Sequence, residues 1–567
     1  MGVGKINSKK WVLPLLLFLA VGGAYANSLS SGFVWDDKPL IIGKQEFFSH
    51  PRNALALLVL PDVVLGARQT PPYYRPLDTL SYMLDHYLWG GKNPFWYHLE
   101  NVLLHGVVVV LFYFLLMEVF EDKRLAFFAA VLFAVYPVNT EAVDFVSARN
   151  TLFCAVFSLA SLLLLAKGGA RWTLLSFLSY FIALLSKELA VVLPFFLLSL
   201  SLTGGFASCE EKKKFKVKKT VLAGFFALTA VYFVIRHFVL GAFIARHGIG
   251  FSPDRLKLIA AVLFEHFRLF VFPFKLNALY TEKILSFSMI KAASAGVGVL
   301  LLLYFSLKKK TPGPVRAGAQ WILWGLLPVS NIVKIPSAPV AERYQYMVLL
   351  GFVLILGYLI ETLSRRKAAL GLAVLAALSL ALGLRTFERN FVWKDDTSLY
   401  ASMIRSDPAD AAAYYDLGNF YGEHGDLEDA KRQFRAALVM DPGYIKARVN
   451  LGIAYAKEDR FKEAIQEFTT ALAIDPNHVM ARVNLGMAYV EEGRFPEALA
   501  EFRTALVLDP LAPEAHLALA IGYEKQGLLS EAESQFQTVL KLAPGNARAV
   551  RELNFIKAEN GSWTTGQ

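Results

Sequence analysis

Between residue 11 and about residue 384 the chain returns repeatedly to apolar runs of roughly 20 residues, the length an α-helix needs to cross a bilayer. A backbone inside hydrocarbon must satisfy its own hydrogen bonds, so such runs leave the helix as the building unit. Only 19% of residues are charged and mean hydropathy is +0.42, against about a quarter charged in a soluble globular chain. The deficit is confined to this stretch, because residues from about 400 to 557 are amphipathic and rich in charge. The chain therefore reads as all-α, with a polytopic membrane region over 1–390, a linker over 391–410, a soluble helical domain over 411–557 and a tail over 558–567.

The net charge of +11 does not point to nucleic acid. Much of it sits in short clusters between apolar runs, such as Lys212-Lys213-Lys214, Lys218-Lys219 and Lys308-Lys309-Lys310, which are topology signals. The basic start, Lys5 to Lys10, precedes an apolar stretch that reads as a retained signal anchor, although Ala24-Tyr25-Ala26 also resembles a signal-peptidase site. With the N-terminus inside, about eleven spans are expected: 11–28, 98–118, 125–138, 142–166, 172–186, 188–203, 219–240, 291–307, 317–333, 346–362 and 367–384. Segment 256–274 is left out. It carries Glu265, His266 and Arg268, and counting it would put Lys308–Lys310 and Arg365–Lys367 outside, against the positive-inside rule. Eleven spans place the long loop 29–97, the loops near 138–149 and 331–345, and the C-terminal domain all on the outer face. Cys154 lies in an apolar run and Cys209 beside a Lys-rich loop, so no disulfide between them is expected.

Pro408, Pro442, Pro476, Pro510 and Pro544 recur every 34 residues. In the same register stand Leu417-Gly418, Leu451-Gly452 and Leu485-Gly486; Tyr421, Tyr455, Tyr489 and Tyr523; Ala430, Ala464, Ala498 and Ala532; and Phe434, Phe468, Phe502 and Phe536. This matches the tetratricopeptide pattern of paired antiparallel helices, in which small residues admit close approach, aromatics fill the gap and proline ends the second helix. Four repeats are expected over about 411–544, with a capping helix over 547–557. Such arrays bind peptides or proteins in a concave groove. Asn450 and Asn484 occupy one register position and are candidates to face an acceptor there, while Asp416 and Ala518 replace them in the first and fourth repeats. Asparagine is also common at this place in ordinary repeats.

Polar strings interrupt the apolar region: Phe33-Val34-Trp35-Asp36-Asp37, Tyr74-Arg75-Pro76-Leu77, Tyr97 to His105, Pro137-Val138-Asn139-Thr140-Glu141-Ala142-Val143, Ser147-Ala148-Arg149-Asn150, Ser186-Lys187-Glu188 and Ala341-Glu342-Arg343-Tyr344. With the repeats behind them, these strings resemble the transmembrane and tetratricopeptide-repeat O-mannosyltransferases, members of the C-type glycosyltransferase superfamily. The resemblance covers nearly the whole chain. Two departures stand out: the repeat array is short, and Asn139 occupies a place where the family string has histidine.

The resemblance implies an inverting transfer of a sugar, mannose by family, from a polyprenyl-phosphate donor to a Ser or Thr hydroxyl of a protein. It assigns the outer-loop acids Asp36 and Asp37 the role of base, or of holding acceptor and metal. The chemistry agrees, since the attacking hydroxyl must lose a proton and the departing lipid phosphate needs cations. Arg149, Lys187 and Arg343 are candidates for the phosphate, and Glu141 for a second acid. Each has a structural alternative. Arg149 can pair with Asp144 or Glu141, Lys187 with Glu188, and Glu342 with Arg343; His98 and His105 suit packing or hydrogen bonding. A divalent metal, Mg or Mn, is left open, because two carboxylates are a thin ligand set. Two other classes compete: a membrane-anchored repeat scaffold, which would need one span rather than many, and a lipid-linked-sugar transporter, which would show paired halves. A bacterial inner membrane, with the site and repeats on its periplasmic face, is the expected location.

Overall fold

The computed structural model describes residues 11–57, 74–203, 217–240, 252–281, 285–333 and 338–564, with side chains to 556. Cys209 and the basic clusters Lys5–Lys10 and Lys212–Lys214 lie outside the described residues. Helices make up the fold, and the described residues hold no strand beyond one isolated bridge between Tyr280 and Val340. The chain divides into two compact units, Met1–Ser402 and Met403–Gln567.

In the first unit every expected span holds a helix or part of one. Among the described residues six segments are long and apolar enough to cross a membrane: Pro94–Phe120, Val146–Lys167, Lys219–Leu240, Met289–Leu307, Glu342–Arg366 and Ala368–Trp393. A seventh would be Lys123–Ala134 with Pro137–Asp144, bent by 54°. Pro137 breaks that run, since its ring has no N–H to continue the helix. Val12–Ala24, Ala170–Ser186 and Glu188–Leu202 are apolar but shorter, so length and composition alone do not carry the expected eleven. Residues 317–333 contribute only part of the 14-residue helix Gly313–Leu326. The omitted segment forms the helix Pro253–Val271, where Glu265 and Arg268 pair.

Close backbone approach organises this unit. A Cβ on Gly318 would lie 2.6 Å from the Gly351 carbonyl, and one on Gly351 would lie 2.6 Å from that of Gly318, so Gly313–Leu326 and Glu342–Arg366 touch main chain to main chain. The first helix, Val12–Ala24, buries Leu17 and Val21 in the common core, and Gly106 of Pro94–Phe120 makes room for Phe18.

The second unit alternates helices in pairs: Ala411–Glu423 with Leu427–Met440, Ile445–Ala456 with Phe461–Ile474, Val479–Glu491 with Phe495–Leu508, and Pro513–Lys525 with Leu529–Leu542. A final helix, Ala547–Thr564, runs past the expected cap end at 557. The second and third repeats reuse one set of contacts. A Cβ on Gly452 would sit 2.6 Å from the buried ring of Phe468, so glycine is what lets the paired helices close. At the turns Asp441, Asp475 and Asp509 accept from the backbone N–H two residues on. Arg448 reaches Glu467 at 3.0 Å, and Arg482 reaches Glu501 at 2.7 Å.

The segment 391–410 differs from a plain linker. It holds the 3-10 turn Phe391–Trp393 and the helix Asp396–Ser406, and Trp393 is wholly buried.

Candidate active site

The two adjacent acids part ways. Asp37 opens a short helix, Asp37–Leu40, and is 0% exposed. Its Oδ1 accepts from the Ser147 N–H at 2.7 Å and the Ser147 hydroxyl at 2.5 Å, and its Oδ2 from the Val34 N–H at 3.2 Å. Burial pushes this carboxyl up to about 7; the Ser147 and Val34 bonds oppose that rise and the charge of Asp36 adds to it. Asp36 is exposed, and among the described residues no side-chain hydrogen bond or ion pair ties up its carboxylate. Nearby protein raises its pKa by desolvation, and Arg343 pulls it part of the way back.

Arg343 is fixed from below by Glu141, which takes its backbone N–H at 2.8 Å and its guanidinium in an ion pair. Glu141 is buried and so serves here as the holder of Arg343. The guanidinium lies over the rings of Phe145 (5.9 Å) and Tyr344 (5.4 Å). Lys187 follows on the other side of Tyr344, its Nζ 5.8 Å from that ring, and donates to the Thr151 hydroxyl at 2.5 Å. Its expected alternative partner, Glu188, instead pairs with Arg75 at 3.0 Å and Arg236 at 3.6 Å. No carboxylate pairs with Lys187 among the described residues, and both Arg75 and Arg343 lie within electrostatic range of it. A string of cations thus leads away from Asp36.

Arg149 sits elsewhere. It is 0% exposed and held by Asp85 at 2.5 Å, Glu100 at 3.2 Å, Asn101 Oδ1 at 2.8 Å and the Tyr97 carbonyl at 3.2 Å. Its guanidinium also lies over Tyr82 and Tyr97. The expected partners Asp144 and Glu141 are not the ones it takes: Glu141 holds Arg343, and Asp144 lies near Arg389. A buried cation with this many partners ties the helix Pro76–Trp89 to the helices Pro94–Phe120 and Arg149–Lys167. Glu342 pairs with Arg389 at 3.2 Å rather than with its neighbour. His98 shares a hydrogen bond with the Gly32 carbonyl at 3.2 Å, and His105 with Tyr346 at 2.6 Å.

A divalent metal is not well served. No three His, Cys, Asp or Glu side chains converge on a metal-sized site among the described residues, and both Asp37 oxygens are already taken.

Phe145, Trp393 and Asp396 lie near the site but stand in none of the polar strings. Trp35 stacks on Phe145 at 5.9 Å and Phe145 on Trp393 at 5.4 Å, closing one wall. Asp396 accepts from the Trp35 N–H at 2.9 Å and pairs with Lys38. Arg75 was visible within Tyr74-Arg75-Pro76-Leu77, whereas Asp396 had no signal in its surroundings.

In the second unit Asn450 donates to Asn419 Oδ1 at 2.7 Å, and the Nδ2 of Asn484 is buried without a hydrogen-bond partner. A cavity of about 330 Å³ lies beside Asn419, Asn450, Ile453 and Lys457.

The family model for the tetratricopeptide repeat matches residues 415–479 and 483–547. Fold and sequence thus define a class, an all-α protein whose membrane-length apolar helices precede a tetratricopeptide array. Within that class, the homologues of this chain are transmembrane and tetratricopeptide-repeat O-mannosyltransferases. Protein O-mannosyl-transferase F38B6.6 of Caenorhabditis elegans is 27% identical over 73% of this chain and 61% of its own length. Protein O-mannosyl-transferase TMTC3 of Mus musculus is 25% identical over 76% of this chain and 52% of its own length. The chain therefore spans about half to three fifths of these relatives. Among solved structures, MamA is 24% identical over 27% of this chain and 83% of its own, with a TM-score of 0.24.

Proposed function

We propose that this chain transfers a sugar, mannose by its relatives' names, from a polyprenyl-phosphate donor to a Ser or Thr hydroxyl of a protein. The observation that carries the reading is the exposed Asp36 carboxylate within electrostatic range of Arg343, with Lys187 beside the same Tyr344 ring and in no ion pair among the described residues. Asp36 takes the proton of the acceptor hydroxyl as its oxygen attacks the anomeric carbon. The bond from that carbon to the phosphate oxygen breaks, its electron pair leaves on the lipid phosphate, and the configuration inverts. Arg343 and Lys187 meet the charge that grows on the phosphate. Asp37 and Glu141 hold the loop and Arg343, and Arg149 keeps the outer loop seated.

The positive-inside pattern supports placing this chemistry on the outer face of the membrane. The repeats supply the means of recruiting the acceptor, with Asn450 and Asn484 toward its backbone. The test is to incubate the purified protein with defined lipid-phosphate sugars and an acceptor peptide mixture. Consumption of one donor with a glycosylated peptide supports the reading; consumption of none by intact protein overturns it.

A further inference from the structure

The end of the segment Ala368–Trp393 and the residues just after it grip the loop carrying Asp36 at successive points. Asn390 donates to the Ala24 carbonyl at 2.9 Å and to Asn27 at 2.8 Å. Trp393 stacks on Phe145, which in turn stacks on Trp35. The Lys394 carbonyl accepts from the Gly32 N–H at 2.8 Å. Asp396, with a side chain only 4% exposed, completes the series with one oxygen on the Trp35 N–H and the other on Lys38. It therefore bridges the two residues that flank Asp36-Asp37.

The backbone between those anchor points is unusual. Trp35 has φ +49°, a left-handed conformation that a bulky L-residue rarely adopts. Such a residue persists where its surroundings over-determine it, and such places cluster at functional sites. Here the fixing groups are the Phe145 ring on the side chain and the Asp396 carboxylate on the N–H. The turn at Trp35 sets the direction in which Asp36 leaves the backbone.

From this geometry we infer that Asp396 is a positioning residue for the transfer: by holding Trp35 and Lys38 it keeps Asp36 aimed at the acceptor hydroxyl beside Arg343. The inference rests on the reading of Asp36 as the base. It assigns a role to a residue in a stretch that otherwise reads as connection.

The experiment uses the full chain in lipid nanodiscs, as wild type, Asp396→Ala and Lys38→Met. It measures kcat, KM for the lipid-phosphate sugar, and amide exchange over residues 33–38. Asp396→Ala is expected to lower kcat at least tenfold and leave KM within twofold, because Arg343 and Lys187 are untouched. Exchange over 33–38 should speed up by a similar factor. Lys38→Met removes the ion pair of the solvent-side arm and should lower kcat about threefold with KM unchanged. Wild-type kcat in both variants, or unchanged exchange in Asp396→Ala, overturns the inference. So does a loss of kcat shared equally with donor affinity and thermal stability, which would mark a merely structural residue. A wild-type protein that consumes no lipid-phosphate sugar overturns the proposed function instead, and the exchange measurement still decides whether Asp396 holds the loop.

Discussion

The two compact units reach stability by opposite routes. In the repeat unit charged partners are near in sequence: Arg448 and Glu467 are 19 residues apart, and the equivalent Arg482 and Glu501 repeat that spacing one unit on. In the membrane unit the pairs around the candidate site join distant segments, with Arg343 and Glu141 separated by 202 residues and Trp35 and Asp396 by 361. Periodic local contacts make a unit that can lose one element and keep its neighbours. Long-range buried pairs make a unit in which a single side chain fixes several segments at once. The difference suits their proposed tasks, since a groove for varied peptides tolerates give and a proton-transfer site does not.

Four perturbations sharpen that contrast. The largest effect is expected from Asp36→Asn, which keeps the shape of an exposed side chain and removes the base. Sugar transfer should fall by about 10²- to 10⁴-fold with thermal unfolding of both units unchanged. Next, Asp85→Asn strips the closest carboxylate from fully buried Arg149. Stability of the membrane unit should drop by roughly 3 kcal/mol, read as a lower unfolding midpoint in detergent, while the repeats melt as before. Gly452→Ala reverses the pattern. Its Cβ meets the buried Phe468 ring, so the repeat unit should lose about 1–3 kcal/mol and transfer to a small acceptor peptide should persist.

The fourth is a change in pH dependence. Asp36 must be ionised to accept a proton, and desolvation lifts its pKa above the ordinary aspartate range while Arg343 lowers it. Activity should therefore fall as pH drops through that raised value. Arg343→Gln removes the lowering influence, so the acid limb of the kcat profile should move to higher pH; a limb that stays in place would detach Arg343 from Asp36.

The same contrast explains what could be read from the sequence. A period of 34 carries small residue, aromatic and proline together, and the paired helices follow from it directly. The acids, Lys187 and Arg343 were visible because they stand in polar strings inside apolar surroundings, where a charge needs a reason. The partners of Arg149 were not, because Asp85 and Glu100 lie on the helix Pro76–Trp89 and at the start of Pro94–Phe120, and nothing periodic links them to it. Asp396 was invisible for the same reason, being one acid in a charged stretch. Helix length and composition do not carry the span count, because of Pro137 and the short apolar helices: hydropathy records composition but not where a helix stops.

The neighbouring aspartates carry a last consequence. Asp36 and Asp37 are the same letter written twice, yet the turn at Trp35 and the helix starting at Asp37 send one carboxylate to water and the other into a ring of donors. Any scheme that scores them alike, whether a conservation column or an alanine scan read as one block, would merge two unrelated demands. On the proposed reading the first position asks for a charge that can come and go, while the second asks for an acceptor of fixed shape.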